Sequence, residues 1–174
     1  MATQKNIVLT GFMGTGKTTV GRILAERLGY QFVDTDVYIE EVSGQTIPEI
    51  FAEHGEPHFR ALEEQAARAL SGQTGTIVAT GGGMMLSATI KDIFSPTSYI
   101  FCLTAPADEI LHRVLSDEKT MERPLLKVDD PKAKIIQMLT DRAPLYGQYT
   151  QIDTLNKTAV QVADAILAAV SGSQ

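Results

Sequence analysis

The sequence contains no tryptophan, a single cysteine and no run of basic residues. One cysteine excludes an intrachain disulfide. Cys102 sits in the apolar run Tyr99-Ile100-Phe101-Cys102-Leu103, where a free cysteine is expected to act as a small buried hydrophobe. Fifteen Lys and Arg against 21 Asp and Glu leave a net charge of −6. An acidic chain without a basic tract is poorly suited to nucleic acid or to an anionic membrane surface. No apolar stretch approaches the length of a membrane span. The opening residues, Met1-Ala2-Thr3-Gln4-Lys5-Asn6, lack the long apolar core of a signal peptide, so a cytoplasmic location is expected. Repeats, low-complexity tracts and interdomain linkers are also missing. The 174 residues, 44% hydrophobic and 21% charged, fit a single domain over residues 1–174 with one sizeable core.

Short apolar runs alternate with longer amphipathic stretches, the pattern of βαβ units around a parallel sheet. Strands are predicted at Ile7–Thr10, Gln31–Asp34, Thr76–Ala79, Tyr99–Leu103 and Gln151–Thr154. The first and third are continuously apolar, as strands covered on both faces require. A helix is predicted from Lys17 to Leu28, stopped by Gly29. Thr46-Ile47-Pro48-Glu49 has capping-box spacing and should open a helix that stops near Gly55. Another follows from Glu56-Pro57, with Phe59, Leu62, Ala66 and Leu70 on one face. Further helices are predicted from Ser87 to Phe94, Pro106 to Leu115, Asp130-Pro131 to Tyr146 and Thr158 to Val170. The polar stretch from Ser116 to Val128, carrying Arg123-Pro124-Leu125-Leu126, fits no element, and a loop of that length in a compact domain is usually functional or disordered.

Gly11-Phe12-Met13-Gly14-Thr15-Gly16-Lys17-Thr18 matches the phosphate-loop pattern G-x-x-x-x-G-K-[ST] at every fixed position. It follows an apolar strand and opens an amphipathic helix, as the mechanism demands. Its backbone N–H groups can cradle phosphates, with the helix N-terminus adding partial positive charge. Lys17 would reach the β- and γ-phosphates, and Thr18 would offer a hydroxyl to Mg²⁺. ATP and Mg²⁺ are therefore expected, and a small-molecule kinase is the reading. A switch GTPase is disfavoured because no Asn-Lys-x-Asp base-reading motif occurs.

The acceptor must be read from the remaining residues. Asp34-Thr35-Asp36 follows the second predicted strand, where open α/β sheets present ligand-facing groups. If the strand continued, both carboxylates would point one way, with Asp34 serving Mg²⁺ and Asp36 the attacking hydroxyl. The plain alternative is a helix-capping pair. Arg60 and Glu63, three apart on a helix, are neighbours, as a salt bridge or as part of a site. Arg142 lies on an apolar stripe with Ile135 and Leu139, so it either snorkels or meets a bound anion. Thr80-Gly81-Gly82-Gly83 follows the third strand and is a flexible turn or a close-approach surface for a ligand. Arg123 is a surface arginine or one that closes over the γ-phosphate.

Taken together, Gly11–Thr18, Asp34-Thr35-Asp36, Phe59-Arg60 with Glu63, Gly81-Gly82-Gly83, and Arg123-Pro124-Leu125-Leu126 followed by Arg142 and Tyr146 resemble shikimate kinase over almost the whole chain. The resemblance implies a three-layer α/β P-loop fold of the nucleoside-monophosphate-kinase kind, with a five-stranded parallel sheet flanked by helices. It implies transfer of the ATP γ-phosphoryl group to the 3-hydroxyl of shikimate, a step toward chorismate and the aromatic amino acids. ATP falls to Gly11, Gly14, Thr15, Gly16, Lys17, Thr18, Thr19 and Arg123, and Mg²⁺ to Thr18 and Asp34. Shikimate falls to Asp36, Arg60, Glu63, Gly81, Gly82, Gly83 and Arg142. The implied catalytic residues are Lys17, Asp36 and Arg123, with a lid near residues 116–128, acceptor helices over about 36–70 and a monomeric state. Many family members carry an adenine-facing arginine nearer to Arg-Pro than Arg113 stands to Arg123-Pro124, so Arg113 is given no adenine role.

Overall fold

Residues 4–116 and 128–172 are described by the computed structural model. Five parallel strands, β1 (Asn6–Gly11), β2 (Gln31–Asp34), β3 (Thr76–Ala79), β4 (Ser98–Thr104) and β5 (Thr150–Asp153), form one sheet in the order β2-β3-β1-β4-β5. Among the described residues the helices are α1 (Lys17–Leu28), α2 (Thr35–Ser43), α3 (Ile47–Ser71), α4 (Ala88–Phe94), α5 (Ala107–Leu115), α6 (Pro131–Tyr146) and α7 (Ala159–Ser171).

Successive strand residues supply opposite layers, because side chains alternate across a pleated sheet. Ile7, Leu9, Ile77, Phe101 and Leu103 pack with Val20 and Leu24 of α1 and Val162, Ala163 and Ile166 of α7. Val8, Val78 and Cys102 face the other way, onto Ala66, Ala67 and Leu70 of α3 and Ile90 and Phe94 of α4. Cys102 is fully buried, as its apolar run implies, and burial pushes its thiol up to about 11. A third cluster, Phe12, Ile110, Val114 and Ile135, sits between the phosphate loop, α5 and α6.

Most predicted elements are present within a residue or two. The break at Gly55 is real: its φ of 78° and ψ of 176° interrupt α3, and Pro57 then falls in a new first turn, where a missing N–H costs little. The capping box at Thr46 and Glu49 forms with both hydrogen bonds. The fifth strand lies one residue earlier than expected. The second strand ends at Asp34 as predicted, and of the two readings of Asp34-Thr35-Asp36 the helix-capping pair is the one present: Asp34 caps α2 by accepting the Asp36 N–H at 3.0 Å. A short 3₁₀ turn, Met84–Leu86, went unanticipated. The lid, with Arg123, lies outside the described residues apart from the loop's two ends.

Candidate active site

Parallel pairing aligns the carboxyl ends of β1, β2 and β3, with Asp34 opposite Ala79 and Leu9 opposite Ala79 from the other side. The loops leaving those ends therefore meet. They surround a cavity of about 570 Å³ lined by phosphate-loop residues, Asp34, Asp36, Gly81 to Gly83, Arg113 and Arg142. That size suits a small-molecule site.

On one side stands the phosphate loop. Gly11 has φ of 129°, and a Cβ there would run into the carbonyl oxygen of Leu103, its partner on β4. Only glycine permits the chain to leave the sheet at that point. Gly16, at φ 93°, precedes α1 without any side-chain cap, so the helix's first N–H groups are left for an anion. Lys17 folds its ammonium onto the carbonyls of Gly11 and Phe12, at 2.8 and 3.0 Å. Thr15 closes the loop by donating its hydroxyl to the Phe12 carbonyl at 2.7 Å. Gly14, Gly16, Thr18 and Thr19 line the cavity with Lys17.

The facing wall is organised by the three glycines. A Cβ on Gly81 would lie 2.6 Å from Asp36 Oδ1, one on Gly82 3.7 Å from Arg142 Nη1, and one on Gly83 3.1 Å from Arg60 Nη1. Each consecutive glycine thus backs one of three of the four side chains assigned to the acceptor, all but Glu63. Close approach is what the missing side chains permit. The turn is pinned from outside: Gly81 N–H donates to Thr35 Oγ1 at 3.0 Å, and Thr80 donates its hydroxyl to Leu9 O at 3.1 Å. Asp36 sits in the first turn of α2, where the helix dipole favours a carboxylate.

Arg142 and Arg60 differ in their surroundings. Arg142 lines the same cavity as Lys17, donates to the Gly82 carbonyl at 3.3 Å and lies 5.4 Å from the Phe12 ring centroid. Among the described residues it forms no ion pair. Arg60 does not line that cavity. Its guanidinium lies against Gly83, which lines both that cavity and a second of about 540 Å³ that Arg60 also lines, and is held by Glu63 at 2.7 Å and Glu56 at 3.1 Å. Burial works against its charge, yet the two carboxylates raise its pKa. Glu63 is only 2% exposed, and burial raises its pKa while Arg60 pulls it back down. Glu63 thus belongs behind Arg60, away from the cavity shared with Lys17.

Thr18 donates its hydroxyl to Asp34 Oδ2 at 3.2 Å, which places the two expected Mg²⁺ ligands side by side at the loop. The pair fits a hard cation that takes oxygen donors and keeps most of its water.

Three neighbours of the site were named in the sequence but given no role there. Thr35 anchors the glycine turn. Arg113 ties the loop to β5, donating to Gly14 O at 3.3 Å, Thr154 Oγ1 at 2.9 Å and Thr154 O at 3.1 Å. Tyr146 donates to Gly82 O at 2.6 Å. All three act through contacts distant in sequence. Thr35 and Tyr146 entered only as part of the resemblance, and the spacing of Arg113 to Arg123 argued against an adenine role without suggesting this one.

The family model described as shikimate kinase matches residues 13–171. A curated shikimate kinase from Geobacter metallireducens is 41% identical over 97% of this chain and 93% of its own. Another, from Caldanaerobacter subterraneus, is 42% identical over 95% of each chain. A solved structure of shikimate kinase from Acinetobacter baumannii in complex with shikimate superposes with a TM-score of 0.88 at 36% identity, covering 98% of this chain and 95% of its own.

Proposed function

The chain belongs to the shikimate kinase family and phosphorylates shikimate with ATP, and we propose which of its residues carry out that transfer. The product is shikimate 3-phosphate, with ADP released. One observation supports the acceptor side above others: Arg142, without an ion-pair partner among the described residues, lines the same cavity as Lys17, its guanidinium 5.4 Å from the Phe12 ring of the phosphate loop. A partly buried guanidinium needs an anion, and the acceptor's carboxylate supplies one.

In this reading the loop N–H groups of Gly11 to Thr18, with Thr19, bind the ATP phosphates. Lys17 leaves the carbonyls of Gly11 and Phe12 for the β- and γ-phosphates. Arg142 grips the acceptor carboxylate, and Arg60, lying against Gly83, supports it, its own orientation fixed by buried Glu63. Gly81 to Gly83 let the acceptor ring approach the backbone. Asp36, held at the start of α2, accepts a hydrogen bond from the attacking hydroxyl and aligns it with the γ-phosphorus. Phosphoryl transfer depends mainly on this positioning and on charge stabilisation. Arg123 is assigned to the γ-phosphate from the family resemblance alone. Thr18 and Asp34 would hold Mg²⁺, which when bound neutralises charge on the phosphates. The enzyme is proposed to work as a single-domain monomer in the cytoplasm. Among the described residues no helix is long and apolar enough to cross a membrane.

A coupled assay of ADP release over shikimate, gluconate, nucleoside monophosphates and no acceptor tests the proposal. ADP release is expected with shikimate and at background level otherwise. Turnover with gluconate or a nucleotide matching that with shikimate would overturn the acceptor assignment.

A further inference from the structure

We infer that Tyr146 is a positioning residue for Arg142, fixing where the acceptor's carboxylate is gripped; this rests on the assignment of Arg142 made above. Arg142 and Tyr146 stand four apart on α6, so they share a face. The Tyr146 hydroxyl donates to Gly82 O at 2.6 Å. Arg142 Nη1 reaches the same carbonyl at 3.3 Å and the Tyr146 oxygen at 3.4 Å. Guanidinium, phenol and glycine carbonyl therefore close a triangle at the centre of the acceptor wall.

The chemistry of a hydroxyl gives this triangle a direction. A phenol has one proton and accepts through its lone pairs. With the proton committed to Gly82, a lone pair is left to face the cation. Burial raises the phenol's pKa, which keeps that proton in place. Tyr146 is 5% exposed and belongs to the buried cluster that also holds Val8, Val78 and Phe94. A flexible arginine stem is thereby referenced to the sheet rather than to solvent. The Phe12 ring, 1% exposed, supports the guanidinium as well. Arginine loses considerable side-chain freedom when it binds an anion, and a guanidinium already oriented loses less of it then.

Tyr146→Phe keeps the ring and removes only the oxygen. Steady-state kinetics of this variant, of Arg142→Ala and of the double variant test the inference. Tyr146→Phe is expected to raise KM for shikimate about fivefold, the size of one lost hydrogen bond. KM for ATP and kcat should stay within about twofold, and the substitution should add nothing in the Arg142→Ala background. A mere loss of stability would reduce active enzyme and leave both KM values unchanged. An unchanged shikimate KM in Tyr146→Phe, or the same fivefold rise on top of Arg142→Ala, overturns the positioning role while leaving the Arg142 assignment intact. An unchanged shikimate KM in Arg142→Ala overturns both.

Discussion

The phosphate loop draws its anion-facing groups from consecutive residues, Gly11 to Thr18, and fixes them with backbone geometry. The opposite wall collects Asp36, Arg60, Gly81 to Gly83 and Arg142 from separate elements and fixes them with side-chain contacts. At the loop's start the obstacle is rigid, whereas Gly14 and Gly16 face valine side chains. A methyl at Gly11 meets the main chain of β4, which cannot move without disturbing the sheet. The wall's obstacles are side chains, which can turn aside. The same small perturbation should therefore damage folding on one side and acceptor binding on the other.

Gly11→Ala carries the largest expected effect. Strain at positive φ and the collision with Leu103 together should cost about 3 kcal/mol of stability, read by urea unfolding. A variant as stable as the parent would break the comparison on the loop side. Gly81→Ala comes next. Its methyl would press on Asp36 Oδ1, so shikimate KM should rise about tenfold, the scale of a lost hydrogen bond to a charged group. Thermal stability should hold, and a steep fall in melting temperature would instead put Gly81 with Gly11. Glu56→Gln has the smallest effect and the opposite sign. Glu56 occupies the Nε and Nη2 edge of Arg60, at 3.3 and 3.1 Å, from an exposed position. Removing this competing charge should lower shikimate KM about twofold, in line with a surface ion pair. A rise in KM would show that Glu56 supports Arg60 instead of competing with the acceptor.

The same contrast explains what the sequence could reveal. The loop was legible because its residues are contiguous and each glycine has a local reason to be there. The sheet was legible because Ile7-Val8-Leu9 and Ile77-Val78-Ala79 are apolar at every position, as burial on both faces requires. Helix α2 was hidden: Thr35, Val37, Ile39 and Val42 are β-branched, and Asp34 could cap or continue equally well by pattern. Arg142 was singled out because a cation on the stripe of Ile135 and Leu139 needs an explanation, and it does line the cavity. Arg60 was read as its equal; it lies against Gly83 and lines the second cavity, paired with Glu63 and Glu56. Helical spacing gives Arg60 its neighbour Glu63. It does not say on which side of a loop from β3 the pair will lie. The Tyr146 hydroxyl on Gly82 spans 64 residues, and no local pattern encodes such a contact.

The proposed role of Arg142 as the carboxylate's partner, in the cavity it shares with Lys17, carries the acceptor side. Replacing Arg142 with lysine keeps the charge and removes the planar fork. Initial-rate kinetics with both substrates varied would then separate the two sides of the cavity. The expected result is a shikimate KM raised about tenfold or more, the loss of a bidentate charge-assisted pair, with ATP KM nearly unchanged. Equal loss of affinity for both substrates, or an unchanged shikimate KM, would contradict it.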